Sequence, residues 1–369
     1  MSRDVVIVGT GAIAALRHLP AVRRIPGARV LGVVGTDAAA VDTFARRAHA
    51  VHHSVMEVGT GDLPAWIEDA DLVSVATPPR SHTAIAQALA RTGVPVVMEK
   101  PLLVDEDERD VWAALADAQG PLGVMHNFQL ARGFVQAERW IAQGRIGEVI
   151  GVQCLQWSSD RRRLPRWYRD LPLGLFWDES VHFLYLSRRL AGDLTLAAAY
   201  AVAAPDPAET TPRSLDVQLA SASGVPVSIA MRFGTALSEW GIVVAGTDGT
   251  LVYDMYRDIP LVLPDDGPHR APQIVRTSLT ATVQHWLRTV DNGVRILRGT
   301  QLYGVDEVLT RMLDARHVSG GHAPTHVPGD AAGDAAADAV GDVPEGLRVE
   351  DGLVATDLMR AIVRAVGSA

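Results

Sequence analysis

Lysine is almost missing from this 369-residue sequence: beside 33 arginines there is one, Lys100. Cysteine is as scarce, with Cys154 alone. An intramolecular disulfide is therefore excluded, and no Cys/His cluster has zinc spacing, so no metal is expected. A lone cysteine fits a reducing compartment. Long apolar runs are also lacking, since none approaches the ~20 residues that a membrane helix needs. Positive charge is in deficit, with a formal net charge of −9. That balance argues against nucleic acid or an anionic membrane as partner. A strand candidate opens within the first residues and leaves no room for a signal peptide, so a cytoplasmic protein is expected.

What is present is a chain 48% hydrophobic and 21% charged, too apolar for disorder and long enough for two domains with separate cores. Residues 4–9 are a short β-branched run of the kind buried on both faces of a sheet. Apolar runs at 30–34, 72–76 and 94–98 alternate with helical patterns near 12–20, 38–48 and 82–91. This rhythm predicts a doubly wound parallel sheet, an α/β domain over residues 1–122. From residue 123 the order changes. A helix near 134–143 and a strand at 149–157 lead through an arginine-rich loop (161–169) to a helix at about 174–190. Strand-like stretches at 194–202, 214–220, 225–233, 240–245 and 250–253 follow with short turns between them. They predict a second α/β domain, 123–369, with a mostly antiparallel open sheet. Helices near 279–291, 302–316 and 350–366 complete it. Residues 319–345, rich in Ala, Gly and Asp, read as a flexible surface insertion.

Four motifs carry chemistry. Gly9-Thr10-Gly11-Ala12-Ile13-Ala14 is a G-x-G-x-x-A pattern between the first strand and the first helix, where a dinucleotide pyrophosphate meets a helix N-terminus. The second strand ends Gly35-Thr36-Asp37. Asp37 reads either as a ribose-binding carboxylate or as the N-cap of the next helix, and NAD versus NADP stays open. Glu99-Lys100-Pro101 follows a buried strand whose carboxyl end faces the ligand crevice. Asp178 and His182 stand four residues apart on one helix face, with Tyr185 and Arg189 continuing the line. Such a pair suits acid–base chemistry, the carboxylate orienting the imidazole. Trp157, Trp167, Tyr168 and Trp177 lie around the arginine-rich loop. They read either as a stacking wall for a flat-faced substrate, with arginines for an anionic group, or as ordinary packing.

Taken together, these residues resemble the glucose–fructose oxidoreductase/inositol dehydrogenase (Gfo/Idh/MocA) family over nearly the whole chain. The resemblance runs through Gly9-x-Gly11-x-x-Ala14, Thr77-Pro78-Pro79 with His82, Glu99-Lys100-Pro101 and Asn127. It continues through Gly144-Arg145-Ile146-Gly147, Asp178-x-x-x-His182, Gly246-Thr247-Asp248-Gly249 and Glu350-Asp351-Gly352. It implies a nucleotide-binding Rossmann domain, a second domain whose sheet serves as a homo-oligomer interface (dimer or tetramer), and NAD(P)-linked oxidation of sugars, cyclitols or related carbonyls. It also implies cofactor contacts from Gly9 to Ile13, Gly35 to Asp37, Thr77, Pro78, His82, Glu99 and Lys100. Substrate contacts would come from Lys100, Asn127, Gln129, Trp157, Trp167, Tyr168, Asp178 and His182. Gln129 stands where many members carry arginine, Ser180 where glycine is common and Tyr185 where aspartate is common.

The expected reaction is reversible hydride transfer. His182 removes the hydroxyl proton, Asp178 orients it, and Lys100 hydrogen-bonds the reacting oxygen. Imine or enol reduction, NAD-assisted glycoside cleavage without net redox change and a dinucleotide-sensing regulator are the alternatives. In a chain that uses arginine almost everywhere else, the retained lysine suggests a site needing a compact ammonium rather than a planar guanidinium.

Overall fold

The β-branched runs of the first third pair as expected. β1 (Arg3–Val8), β2 (Ala28–Gly35), β3 (His52–Val55), β4 (Leu72–Val75), β5 (Val96–Met98) and β6 (Leu122–Val124) form a parallel sheet in the order β3-β2-β1-β4-β5-β6. In this computed structural model the described residues are 2–57, 63–116, 121–162, 164–300, 303–319 and 343–367. Val5 to Val8 are wholly buried, as parallel strands covered on both faces require. A π turn over Ala14–His18 runs into α1 (Leu19–Val22). The crossovers α2 (Ala38–Ala48), α3 (His82–Leu89) and α4 (Arg109–Ala116) follow in turn. β3 and β6 had no strand signal of their own, because one is His52-His53-Ser54-Val55 and the other is three residues long. Only pairing with β2 and β5 makes them strands.

α5 (Arg132–Ala142) introduces a seven-stranded sheet built from β7 (Val149–Ser159), β8 (Leu194–Val202), β9 (Ser214–Ser221), β10 (Pro226–Thr235), β11 (Glu239–Gly246), β12 (Gly249–Asp254) and β13 (Ile259–Pro264). Its order is β13-β12-β11-β7-β10-β9-β8. Only β7 and β10 pair in parallel, so the expected mostly antiparallel sheet is what forms. α6 (Leu175–Ala191) packs on the sheet face that carries Cys154 and Gln156, with Cys154 Sγ 3.3 Å from Ser187 Oγ. Two motif glycines meet at the rim. Gly147 has φ +70°, and a Cβ there would stand 2.1 Å from Thr247 Oγ1; one on Gly246 would stand 2.0 Å from the Ile146 oxygen. The positive φ of the first and the backbone against the second exclude a side chain at either position.

α7 (Ala271–Leu297), α8 (Val305–Ser319) and α9 (Val349–Gly367) complete the chain. The two compact units are Met1–His126 with Val305–Val354, and Asn127–Gly304 with Ala355–Ala369. The division expected after residue 122 thus falls within β6, whereas the first unit runs on to His126. The first unit also takes back α8 and the start of α9, where Val349 and Leu353 join its core. Residues 320–342, most of the expected insertion, lie outside the described residues.

Candidate active site

In the first unit the sheet order reverses between β1 and β4. The crevice beyond the carboxyl ends of those strands is where an open parallel sheet takes a ligand. The loop after β1 is shaped for close approach. Gly9 has φ +109°, and a Cβ there would stand 2.6 Å from the Ala76 carbonyl oxygen, so glycine is required. A Cβ on Gly11 would meet nothing within 4 Å. Gly11, Ala12 and Ile13 are exposed and Thr10 is half-buried, leaving open backbone where a pyrophosphate would sit. Gly35 closes β2 against Thr10, and Thr36 and Asp37 follow it, exposed. Asp37 is the N-cap of α2, its Oδ1 accepting the Ala40 N–H at 2.7 Å. The N-cap reading therefore holds, while the carboxylate still stands at the strand end where a ribose is read. After β4, Thr77 is half-buried and Pro78 exposed.

Two residues expected to touch the cofactor brace the crevice instead. His82 is wholly buried. Its Nε2 lies 3.0 Å from the Thr77 oxygen, and its Nδ1 lies 3.1 and 3.2 Å from the Pro101 and Leu102 oxygens. It ties the loop after β4 to the loop after β5, and burial pushes its pKa down. Glu99 turns inward, with Oε1 2.9 Å from His18 Nε2 and Oε2 accepting the Lys100 N–H at 3.1 Å. His18, the last residue of the π turn, also reaches Ser74 Oγ at 2.6 Å. Burial pushes the Glu99 carboxyl up, but the hydrogen bond and charge of His18, with the charges of Lys100 and His82, turn the net direction down. Lys100 is half-buried at the carboxyl end of β5, its backbone held by this carboxylate.

Sequence reasoning missed His126. Burial lowers its pKa to about 4, the charge of Lys100 acting in the same sense, so this imidazole is neutral near pH 7. It closes the first unit, far along the chain from Lys100, and no local pattern marks it.

In the second unit the imidazole of His182 is buried. Its Nδ1 lies 2.8 Å from Tyr185 Oη, and that oxygen accepts the Phe128 N–H at 3.1 Å. A partner placed at Nδ1 is thus Tyr185, three residues further along the same helix. Asp178, half-buried one turn earlier, lies in the electrostatic reach of Arg162. Rings hold the imidazole plane: Phe128 edge-on at 4.8 Å, Trp240 at 5.7 Å and Tyr185 at 5.6 Å between centroids. Trp240 stacks in turn on Tyr256 at 5.4 Å. Phe128, Trp240 and Tyr256 come from three separate segments, so nothing in the sequence groups them.

The expected stacking wall does not assemble. Side chains alternate along β7, and Trp157 lies on the sheet face away from α6, whereas Gln156 faces it. Trp177 is buried in the core. Trp167 and Tyr168 are half-buried; Tyr168 Oη donates to Glu209 Oε2 at 3.2 Å, and Arg169 lies over its ring. Arg162 is not available to an anion either, because it pairs with buried Glu179 at 2.5 Å and donates to Ser158 Oγ at 3.0 Å. Gln156 also donates to Glu179. Asn127 gives its amide hydrogen to the Tyr303 oxygen at 2.7 Å, and Gln129 is buried. Among the described residues no cluster of three His, Cys, Asp or Glu could hold a metal. No helix among them is long and apolar enough to cross a membrane.

Comparison with known proteins agrees with this architecture. Residues 3–127 match the model of an oxidoreductase family with an NAD-binding Rossmann fold, and residues 134–252 match the GFO/IDH/MocA C-terminal domain. The chain is 28% identical over 275 residues to inositol 2-dehydrogenase of Rhizobium meliloti (strain 1021), covering 72% of this chain and 80% of that one. The WlbA dehydrogenase from Bordetella pertussis, solved with NADH and UDP-GlcNAcA, superposes with a TM-score of 0.72 at 18% identity, covering 100% of this chain and 96% of that one. Levoglucosan dehydrogenase in complex with NADH gives 0.63 at 18% identity, over 74% of this chain and 78% of that one. The chain is an NAD-dependent oxidoreductase of the Gfo/Idh/MocA family, with its NAD-binding Rossmann domain in the first unit and the family's C-terminal sheet in the second.

Proposed function

We propose that the chain oxidises a secondary alcohol carbon of a sugar, a cyclitol or a related polyol, reversibly. What carries this reading is the imidazole of His182, buried among rings with a hydrogen-bond partner at Nδ1. An imidazole acting as base at Nε2 keeps its proton on Nδ1, and Tyr185 Oη is there to accept it. In the oxidation direction Nε2 takes the hydroxyl proton while the carbinol C–H bond breaks. Bound NAD supplies the acceptor for that hydrogen and its electron pair. Lys100 donates a hydrogen bond to the substrate oxygen and steadies its developing negative charge. Asp178, four residues before His182, favours the protonated imidazole formed in this step.

NAD rather than NADP fits Asp37, whose exposed carboxylate at the end of β2 suits a ribose hydroxyl and opposes a 2′-phosphate. Thr36 and the backbone from Gly9 to Ile13 supply the remaining contacts. Self-association through the second sheet belongs to the same reading, since Leu155 and Trp157 are exposed on its face away from α6.

The test is a coupled absorbance screen with NAD and NADP against inositols, free sugars and nucleotide sugars, with Lys100→Ala and His182→Ala as controls. Stoichiometric formation of reduced cofactor on one polyol, lost in both variants, is expected. Turnover without net cofactor reduction would point to glycoside cleavage. Tight NAD binding with no turnover on any polyol would point to a sensor. Full activity in both variants would refute the roles of Lys100 and His182.

A further inference from the structure

α7 is inside out. Its polar side faces its own unit: Gln284 Nε2 donates to the Val262 oxygen at 2.8 Å while its Oε1 accepts the Val262 N–H at 3.0 Å. Asn292 is buried and donates to the Arg257 oxygen at 2.7 Å, and Arg288 lies 5.1 Å over the Trp140 ring. The opposite side carries Leu279, Val283, Trp286, Leu287, Val290 and Val294, all exposed, Trp286 by 65%. With four more at the helix ends, this one helix holds ten of the twenty exposed large hydrophobics among the described residues. A helix on a protein surface normally does the reverse, burying the apolar stripe and wetting the polar one.

The size of the stripe decides what it means. Ile274, five turns before Asn292, and Ile296, four residues after it, fall on the polar side; the other eight side chains, 41–88% exposed, present roughly 800 Å² on the outer face. The largest apolar patch on an ordinary monomer is about 300–600 Å². A standard protein interface takes about 800 Å² from each partner.

We infer that the outer face of α7 is a contact between two copies of this chain, each α7 lying antiparallel on the other across a two-fold axis near Trp286. An axis of this kind requires one surface to match itself, residue i meeting j where j meets i. The stripe satisfies that condition: read in reverse, Leu279 falls opposite Val294, Val283 opposite Val290 and Trp286 opposite Leu287. The three- and four-residue spacing of these positions is that of helices packed side by side. An anionic lipid surface is the poorer occupant, because the chain carries a net charge of −9. The inference is independent of the reaction proposed above.

Sedimentation velocity at micromolar concentration tests it, comparing the wild type with Val283→Glu/Trp286→Glu. Both changes sit on the outer face, so circular dichroism should match the wild type. The expected result is a twofold drop in assembly mass, from dimer to monomer or from tetramer to dimer. Leu287→Cys should also give a covalent dimer with a bis-maleimide of about 8–10 Å reach, the spacing of packed helices. The native Cys154 will not interfere, being buried with its thiol pushed up to about 12. Adding Trp286→Glu to Leu287→Cys should abolish that product. A monomeric wild type, an unchanged mass in the double variant, failure of Leu287→Cys to cross-link within an intact assembly, or flotation of the chain with anionic vesicles would each overturn the inference.

Discussion

Replacing Tyr185 by phenylalanine removes one oxygen and keeps the ring. Among the contacts of that oxygen are His182 Nδ1 at 2.8 Å and the Phe128 N–H at 3.1 Å. The two losses have different consequences. A buried N–H left without an acceptor costs about 1–3 kcal/mol, and at about 2–4 °C per kcal/mol for a domain of this size the melting temperature should fall by roughly 2–12 °C. The imidazole itself should stay in place, because Phe128 and Trp240 hold its plane from other segments. What it loses is a hydrogen bond to a group that becomes charged in the reaction, worth about 1.5–3 kcal/mol, or roughly 10–150-fold in rate. The loss belongs in kcat, with KM moving only a few-fold, since Tyr185 acts through His182 as a positioning residue. Steady-state kinetics on a substrate found in the polyol screen, together with calorimetry, would measure both. If Tyr185→Phe melts lower but keeps full kcat, the tyrosine supports the fold alone and the reasoning about Nδ1 fails. A rise in KM at constant kcat would place it on the substrate instead.

Other perturbations have equally definite outcomes. Lys100→Arg should reduce turnover at least tenfold while leaving NAD affinity, measured by titration calorimetry, within a few-fold; near-normal turnover would make the single lysine an accident of composition. Stability should fall with acid in a defined window. Folded His126 stays neutral down to about pH 4, while the unfolded residue takes up its proton near its ordinary 6.5, so the unfolded chain binds more protons between those values. That contributes on the order of 3 kcal/mol, lost as pH drops from 6.5 to 4, and Glu99 acts in the same direction at lower pH. Denaturant unfolding across this range should show the slope, and His126→Gln should flatten it. Glu179→Ala should cost about 3 kcal/mol, the lower end for breaking a buried pair, because Arg162 keeps partial access to water. Methionine substitution of both partners should recover most of that loss.

The parts of the site legible in the sequence are those that one short segment completes by itself. Gly9 and Gly11 are readable because a tight turn after a buried strand leaves few other residues possible. Asp37 is readable as a cap because its acceptor lies three residues from the N–H that it binds. His82 shows the limit of this kind of reading. It falls in the right motif, yet it is spent on the Pro101 and Leu102 carbonyls, some twenty residues away, which no local pattern specifies. Trp157 fails for a related reason. Alternation shows that it opposes Gln156, but only the position of α6 shows which of the two faces the site.

The alternation of strands and helices, the crevice at the reversal of the sheet and the single lysine at its edge were set by the sequence alone. Hydrophobic periodicity and glycine sterics act over a few residues and need no tertiary partner. Only the tertiary structure decided the company of His182, drawn from Tyr185, Phe128 and Trp240, and the neutral state of buried His126. It alone decided the orientation of α7 as well. A helical repeat fixes that Leu279, Val283, Trp286 and Val290 share one face, but either face of an amphipathic helix can point inward. The hydrogen bonds of Gln284 and Asn292 turn the polar side in, and the lone-lysine protein thereby shows its apolar stripe to the outside.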